Sequence, residues 1–111
     1  MSPYVAPHMQ ALVDELRAAN LPPSETLPLA VVRQTMEEQS ARWNQFDVPG
    51  VSHSDAVIAG RPVRIYRPKQ PLAGRAMVYL HGGGWTAGSC QTHDNIVRRL
   101  VADSGLVAVS V

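Results

Sequence analysis

Three consecutive glycines, Gly82 to Gly84, follow the apolar run at residues 76–80 after a single residue, His81. Glycine loses more backbone freedom on folding than other residues, at roughly 0.5–1 kcal/mol relative to alanine in regular structure. The triplet therefore predicts a segment in which the backbone bends sharply and presents bare N–H groups. The apolar run before it is typical of a strand buried in a parallel sheet. We expect an irregular glycine-rich loop over residues 81–91 at the end of that strand.

Two amphipathic helices are predicted before the glycines. Residues 5–19 place one apolar stripe at helical spacing, formed by Val5, Met9, Leu12, Val13 and Leu16. Pro22 and Pro23 interrupt the chain, and a second helical stripe follows, formed by Leu29, Val32, Met36 and Trp43.

The pattern changes to strands after about residue 50. Residues 55–58 and 62–67 are β-prone runs, and Gly60 between them suits the turn of a hairpin. In the second run Arg64 and Tyr66 alternate with apolar residues, which predicts a strand with one polar face.

A βαβ unit surrounds the glycine-rich loop. Residues 93–104 form a helical pattern, with Thr92 as the expected N-cap and Gly105 as the expected end. Asp94 is expected to favour the positive end of the helix dipole, and Arg98-Arg99 to lie on a solvated face. Residues 106–111 read as a second buried strand, so the two strands should be parallel with a right-handed crossover.

Composition excludes several classes of function. The chain has 111 residues, 45% hydrophobic and 17% charged, with a net charge of +1. So small a charge creates no field for nucleic acid or an anionic membrane, and no run of 18 apolar residues predicts a membrane span. Cys90 is the single cysteine, expected to be an inert or exposed thiol, and residues 1–10 lack a secretory signal pattern. We expect a cytoplasmic protein without a nucleic-acid partner.

The glycine-rich loop admits more than one chemistry. Its N–H groups suit an oxyanion that forms in the transition state of acyl transfer. Gly82, Gly84 and Ala87 also satisfy the spacing of a dinucleotide-binding motif, but that motif opens a helix directly, and here the helix starts near residue 92. Residues 83–88 have the spacing of a phosphate-binding loop, yet Ser89 stands where lysine is needed. A purely structural glycine turn also stays open.

Three short segments follow the predicted strand in this order: His81-Gly82-Gly83-Gly84-Trp85, then Ala87-Gly88-Ser89, then Thr92-His93-Asp94 at a helix start. Together they resemble the hormone-sensitive-lipase-like esterases of the α/β-hydrolase fold. The resemblance covers roughly residues 45–111. It implies the fold class α/β and the N-terminal part of that fold: a helical cap segment at residues 1–45, then an antiparallel strand pair and the first βαβ unit of a mostly parallel sheet at residues 46–111.

The same resemblance implies the site. The N–H groups of Gly83 and Gly84 would be oxyanion donors, His81 and Gly82 would support the loop, and Trp85 would pack beside the acyl or alcohol pocket. The substrate would be a small-molecule carboxylic ester, with no metal or organic cofactor. The strand at 106–111 would lie between those at 62–67 and 76–80. The strand at 76–80 would then form an open apolar edge of the sheet, so we expect the chain to associate with other copies of itself.

The serine-hydrolase triad is missing from the chain. The G-x-S-x-G motif of the nucleophile is absent, and in family order the acid and the histidine follow the serine. All three are therefore expected beyond Val111, and the chain alone is expected to be a truncated, inactive part of an esterase or lipase. The alternative is a catalytically dead remnant that acts as a binding or interaction module. The four histidines match no metal-site spacing.

Overall fold

The computed structural model describes residues 4–111 and has an α/β architecture of three helices and a four-stranded mixed sheet. The elements are α1 (Pro7–Ala18), a 3-10 turn (Ser24–Thr26), α2 (Leu29–Asn44), β1 (Val51–Ile58), β2 (Arg61–Pro68), β3 (Ala76–Tyr79), α3 (Asp94–Ser104) and β4 (Val107–Ser110). This order confirms the predicted sequence of two helices, a strand pair and a βαβ unit. Within residues 4–111, no helix combines the length and hydropathy that a membrane crossing requires.

The strand order of the sheet is β1-β2-β4-β3. β1 and β4 both pair antiparallel with β2, whereas β3 and β4 are parallel. The last strand therefore lies between β2 and β3, as predicted. β1 begins at Val51 rather than at residue 55, because the hairpin register continues to the pair Val51 and Pro68. The polar residues 52–54 conceal this extension in the sequence.

Helix α3 covers one face of the sheet and forms the core with it. The fully buried core residues are Tyr66, Val97, Val101 and Ala108. Gly105 ends the helix in the left-handed conformation, at φ 72°, as predicted. The predicted N-cap is wrong. The helix begins at Asp94, and Thr92 instead forms a reciprocal pair with Ser89, in which each hydroxyl accepts a hydrogen bond from the other residue's N–H.

The N-terminal end of α3 is joined to the sheet through one buried carboxylate, Asp94. Its Oδ1 accepts hydrogen bonds from the Tyr66 hydroxyl at 2.7 Å and from Arg64 at 3.1 Å, both on β2. Its Oδ2 accepts a hydrogen bond at 2.7 Å from Arg98, one turn along α3. Arg98 also donates to the Val51 carbonyl on β1 at 3.1 Å. One helix and two strands therefore meet at this carboxylate.

The network overturns two sequence predictions. The strand face with Arg64 and Tyr66 is not solvated, because it lies under α3 and Tyr66 is fully buried. Arg98 is not on a solvated face either, because its side chain is only 19% exposed. Each of these polar groups has a partner of complementary charge or hydrogen-bonding type, which removes the penalty that otherwise keeps them at the surface. Asp94 is at the start of the helix, as predicted, but its carboxylate binds Arg64 and Tyr66 of the sheet.

Burial and hydrogen bonding shift the pKa of Asp94 in opposite directions. Burial alone would raise the pKa of the Asp94 carboxyl, but hydrogen bonds from Arg98 and Tyr66 bring it below its usual value of 3.8. Burial and the adjacent carboxylate raise the pKa of Tyr66, so its hydroxyl keeps its proton and continues to donate. Because folding lowers the pKa of Asp94, the group stabilises the fold above the usual carboxyl pKa. This contribution is lost as the pH falls through the lowered value.

The N-terminal helices meet the rest of the chain through polar contacts. Leu29 and Trp43, from the predicted apolar stripe of α2, are each nearly half exposed. A neighbouring polar stripe of α2 binds the glycine-rich loop instead. Helix α1 joins α2 through an ion pair between Glu15 and Arg42. The boundary at residue 45 between a cap segment and a core stays a prediction, and residues 1–3 of that segment lie outside the described residues.

The sheet has an open edge at β3. Val78 and Leu80 are largely exposed, as expected for the predicted open apolar edge. The reason is that α3 packs on only one face of the sheet, and β4 pairs with β3 on only one side. Unpaired apolar strands are templates for pairing with another chain. Self-association of the chain through β3 stays a prediction.

Replacing Asp94 with asparagine should destabilise the full-length protein strongly. Arg98 would stay largely buried without a counter-charge, and Arg64 would keep only the exposed Asp55. Breaking a buried pair in this way costs about 3–5 kcal/mol. The measurement is the melting temperature. The matched control is Asp55→Asn, because Asp55 binds the same Arg64 at 2.7 Å but its side chain is 69% exposed, against 12% for Asp94. Equal losses in the two variants would contradict the central role of Asp94.

Candidate active site

The glycine-rich loop depends on a left-handed backbone at four positions. Gly83, Gly84 and Gly88 have φ of 138°, 61° and 91°, and Trp85 has φ of 60°. Glycine adopts such angles without steric penalty, whereas a tryptophan there is uncommon and strained. The loop therefore turns sharply at the point where the sequence has its glycine triplet.

Two of the glycines are also required by close packing. A Cβ at Gly83 would lie 1.8 Å from the Ala87 carbonyl oxygen, and one at Gly88 would lie 2.5 Å from the Gly82 carbonyl oxygen. By contrast, a Cβ at Gly82 or Gly84 would meet nothing within 4 Å. Residues 82–83 and 87–88 thus approach each other backbone to backbone, and the loop closes on itself.

The N–H groups of Gly83 and Gly84 are available to a ligand. In the part of the chain that the structure describes, neither donates a hydrogen bond to another protein group. The carbonyl groups of the same peptide units are engaged. The Gly83 oxygen accepts from the N–H of Ala87 at 3.0 Å and of Thr86 at 3.2 Å, and the Gly82 oxygen lies 2.8 Å from His81 Nδ1. Two adjacent peptide units are thus held by their oxygens, with their N–H groups left open.

His81 supports the loop in this geometry. A carbonyl oxygen can only accept, so its contact with Gly82 places a proton on Nδ1 of His81. The His81 ring stacks on that of His93, with ring centres 5.5 Å apart. Burial lowers the pKa of His93, and the neighbouring His81 lowers it further. The lowered pKa favours the uncharged form of His93.

An open groove of about 670 Å³ lies along the loop. Residues 80–88 form most of its wall, and Arg33 from α2 and Val111 after β4 complete it. Trp85 lies at this groove with its side chain fully exposed. Its packing against an acyl or alcohol group of a substrate stays a prediction. The position of Arg33 at the groove was not predicted. The one signal in the sequence is its spacing of four residues from Glu37, which marks a polar stripe on α2.

Other candidate groups lie outside this arrangement. The Asp94 carboxylate binds Arg64, Tyr66 and Arg98 rather than His93, so the adjacent pair His93-Asp94 does not form a proton-transfer dyad. Cys90 is half-buried, and its thiol donates to the Ser110 carbonyl at 3.3 Å. Among residues 4–111, no three histidine, cysteine, aspartate or glutamate side chains are grouped as metal ligands.

Comparison with known proteins finds similarity to one fold family. Residues 77–111 match the family described as alpha/beta hydrolase fold. The chain is 34% identical to an ethyl acetate hydrolase of Pseudomonas putida over 120 residues, which cover all of this chain and 37% of that protein. The chain therefore has the N-terminal part of the α/β-hydrolase fold. The family resemblance and the fold class predicted from the HGGGW segment are thereby confirmed.

Solved α/β-hydrolase structures extend the match to the helices. A mutant of esterase rPPE superposes with a TM-score of 0.84 at 30% identity, over 99% of this chain and 36% of that one. A hyperthermophilic esterase from Pyrobaculum calidifontis superposes with a TM-score of 0.74 at 32% identity, over 96% of this chain and 35% of that one. The chain thus spans about a third of the length of these relatives.

The backbone contact at Gly88 can be tested by adding one carbon. Gly88→Ala should lower the melting temperature of the full-length protein, because the new Cβ would overlap the Gly82 carbonyl and the His81 ring at φ 91°. The expected loss is on the order of 1–3 kcal/mol. Gly82→Ala is the control, because a Cβ there meets nothing within 4 Å. If Gly88→Ala melts at the same temperature as Gly82→Ala, the loop does not close as described.

Proposed function

We propose that this chain is the N-terminal portion of a serine carboxylic-ester hydrolase and that it supplies the oxyanion hole. The observation that carries the proposal is the pair of adjacent N–H groups, on Gly83 and Gly84, without a protein acceptor beside an open groove. Donors that are fixed in advance stabilise negative charge as it develops, because they need no reorganisation during the reaction. The esterase names of the relatives support the same chemistry.

The reaction that fits this site is acyl transfer to a serine. A serine hydroxyl attacks the ester carbonyl while a histidine takes its proton, and the carbonyl oxygen becomes an oxyanion that Gly83 and Gly84 bind. Collapse of this intermediate expels the alcohol, which receives the proton, and water then releases the acid by the same route. In the family order the serine, the acid and the histidine all follow the glycine loop, so we place them beyond Val111.

The substrate that we propose is a small-molecule carboxylic ester, with no organic cofactor. One relative is named an ethyl acetate hydrolase, which makes short-chain esters the first class to test, ahead of lipase substrates. His81 and Gly82 would hold the loop, and Trp85 would border the acyl or alcohol pocket. The single cysteine, which leaves no pair for a disulfide within residues 1–111, favours a cytoplasmic location.

Full-length protein should hydrolyse an activated short-chain ester, and a serine-directed phosphonate should abolish that activity with one label per chain. The 111-residue chain alone should neither turn over the ester nor take up the label, because it lacks the nucleophile motif. An active full-length enzyme that resists the phosphonate would exclude a serine nucleophile. No turnover of any ester by folded full-length protein would favour the binding-module alternative.

A backbone substitution can test the oxyanion hole directly. Proline is unsuitable, because its fixed φ is incompatible with 138° at Gly83 or 61° at Gly84. Replacing Gly84 with glycolic acid exchanges its N–H for an ester oxygen and adds no atom that could clash. We expect kcat to fall about 100-fold or more, with little change in KM. The same replacement at Gly74, outside the groove, is the control, and an unchanged kcat at Gly84 would remove that N–H from the proposed hole.

A further inference from the structure

Helix α2 binds the glycine-rich loop through a polar stripe. Arg33 Nε donates to the Thr86 carbonyl at 2.7 Å, and Glu37 accepts from the Ser89 hydroxyl at 2.7 Å. Near the end of the helix Asn44 donates to the Gln91 carbonyl at 2.6 Å. From Arg33 to Asn44 the helix rises about 16 Å. One rigid element therefore runs beside the loop from the glycine turn to the start of α3.

The hydrogen bond from Arg33 differs from the other two, because a second hydrogen bond connects the peptide unit that accepts it to the proposed oxyanion hole. The Thr86 carbonyl and the Ala87 N–H belong to one planar peptide unit. That N–H donates to the Gly83 carbonyl at 3.0 Å, and the Gly83 carbonyl and the Gly84 N–H belong to the next such unit. Two hydrogen bonds thus connect the Arg33 guanidinium, through two peptide units, to the N–H of Gly84.

We propose that Arg33 is a positioning residue for the oxyanion hole, which orients and polarises the Gly84 N–H through this hydrogen-bonded relay. The inference rests on the proposed function. A hydrogen bond from a cation is stronger than one between neutral groups, and linked hydrogen bonds polarise one another. Among the described residues Arg33 has no acidic partner, so no carboxylate competes with the Thr86 carbonyl for its charge.

The contact also fixes the orientation of the peptide unit. The Thr86 oxygen lies in an exposed part of the loop, where water would otherwise hydrate it and leave the unit free to rotate. With Arg33 bound, the Ala87 N–H is held toward Gly83. Gly84 has φ of 61° and a Cβ there would meet nothing within 4 Å, so packing around Gly84 does little to fix its N–H.

The kinetic test compares two α2 variants in the full-length enzyme. Arg33→Met should lower kcat about 10-fold with KM nearly unchanged, less than the 100-fold or more expected when an oxyanion donor is deleted. Inhibition by a trifluoromethyl ketone, which forms an oxyanion in the site, should weaken by the same factor as kcat/KM. Arg33→Lys should recover part of the loss, because its ammonium can donate to the same carbonyl.

Glu37→Ala is the matched control. It removes a 2.7 Å contact between the same helix and the same loop, but that contact ends on the Ser89 side chain and does not enter the relay. We expect its kcat to stay close to that of the wild type. If Glu37→Ala and Arg33→Met reduce kcat equally, docking of the whole helix matters and the specific role of Arg33 is overturned. An unchanged kcat in Arg33→Met would also overturn it.

A second measurement needs no enzymatic activity. With glycine labelled by ¹⁵N and by ¹³C at the carbonyl, NMR selects amides that follow a glycine, which include Gly83 and Gly84. Arg33→Met should shift the Gly84 amide proton upfield and leave that of Gly83 nearly in place, because the Gly83 N–H belongs to the peptide unit held by His81. An unmoved Gly84 signal would refute the relay. A shifted Gly84 signal in a protein without esterase activity would support the relay and refute the proposed function.

Discussion

The buried carboxylate of Asp94 is the interaction on which the rest of the arrangement depends. A carboxylate is stable in such a place only when hydrogen-bond donors surround it, and here Arg64, Tyr66 and Arg98 supply them. These donors come from β2 and α3, so the charge that needs them also fixes the helix on the sheet. Asp94 is the first residue of α3 and follows the glycine-rich loop closely. The network therefore determines where that loop must end.

The loop is held at its other end by a different kind of constraint. There β3 sets the position of His81, and steric closure between Gly83 and the Ala87 carbonyl sets the shape of the turn. The closure between Gly83 and Ala87 is a contact between backbone atoms and does not depend on side-chain packing in the core. Among residues 4–111 the N–H groups of Gly83 and Gly84 have no protein acceptor, while the carbonyl groups of their peptide units are engaged.

Much of this fold could be predicted from the sequence, because the informative signals are local. The glycine triplet located the loop, Gly105 located the end of α3, and the two apolar runs identified a parallel pair. The polar network could not be predicted, since Arg64 and Arg98 look like ordinary surface residues until tertiary structure brings them to Asp94. The contacts of α2 with the loop could not be predicted either. Its apolar stripe suggests a packing face, whereas its contacts with the loop use Arg33, Glu37 and Asn44.

The contacts of α2 with the loop have a consequence for divergence within the family. Two of its donors, on Arg33 and Asn44, bind main-chain oxygens of the loop, at Thr86 and Gln91. Every amino acid carries the same oxygen, so mutations at positions 86 and 91 preserve these two acceptors as long as the backbone path is kept. The side chains at these two positions can then change while the helix keeps its place.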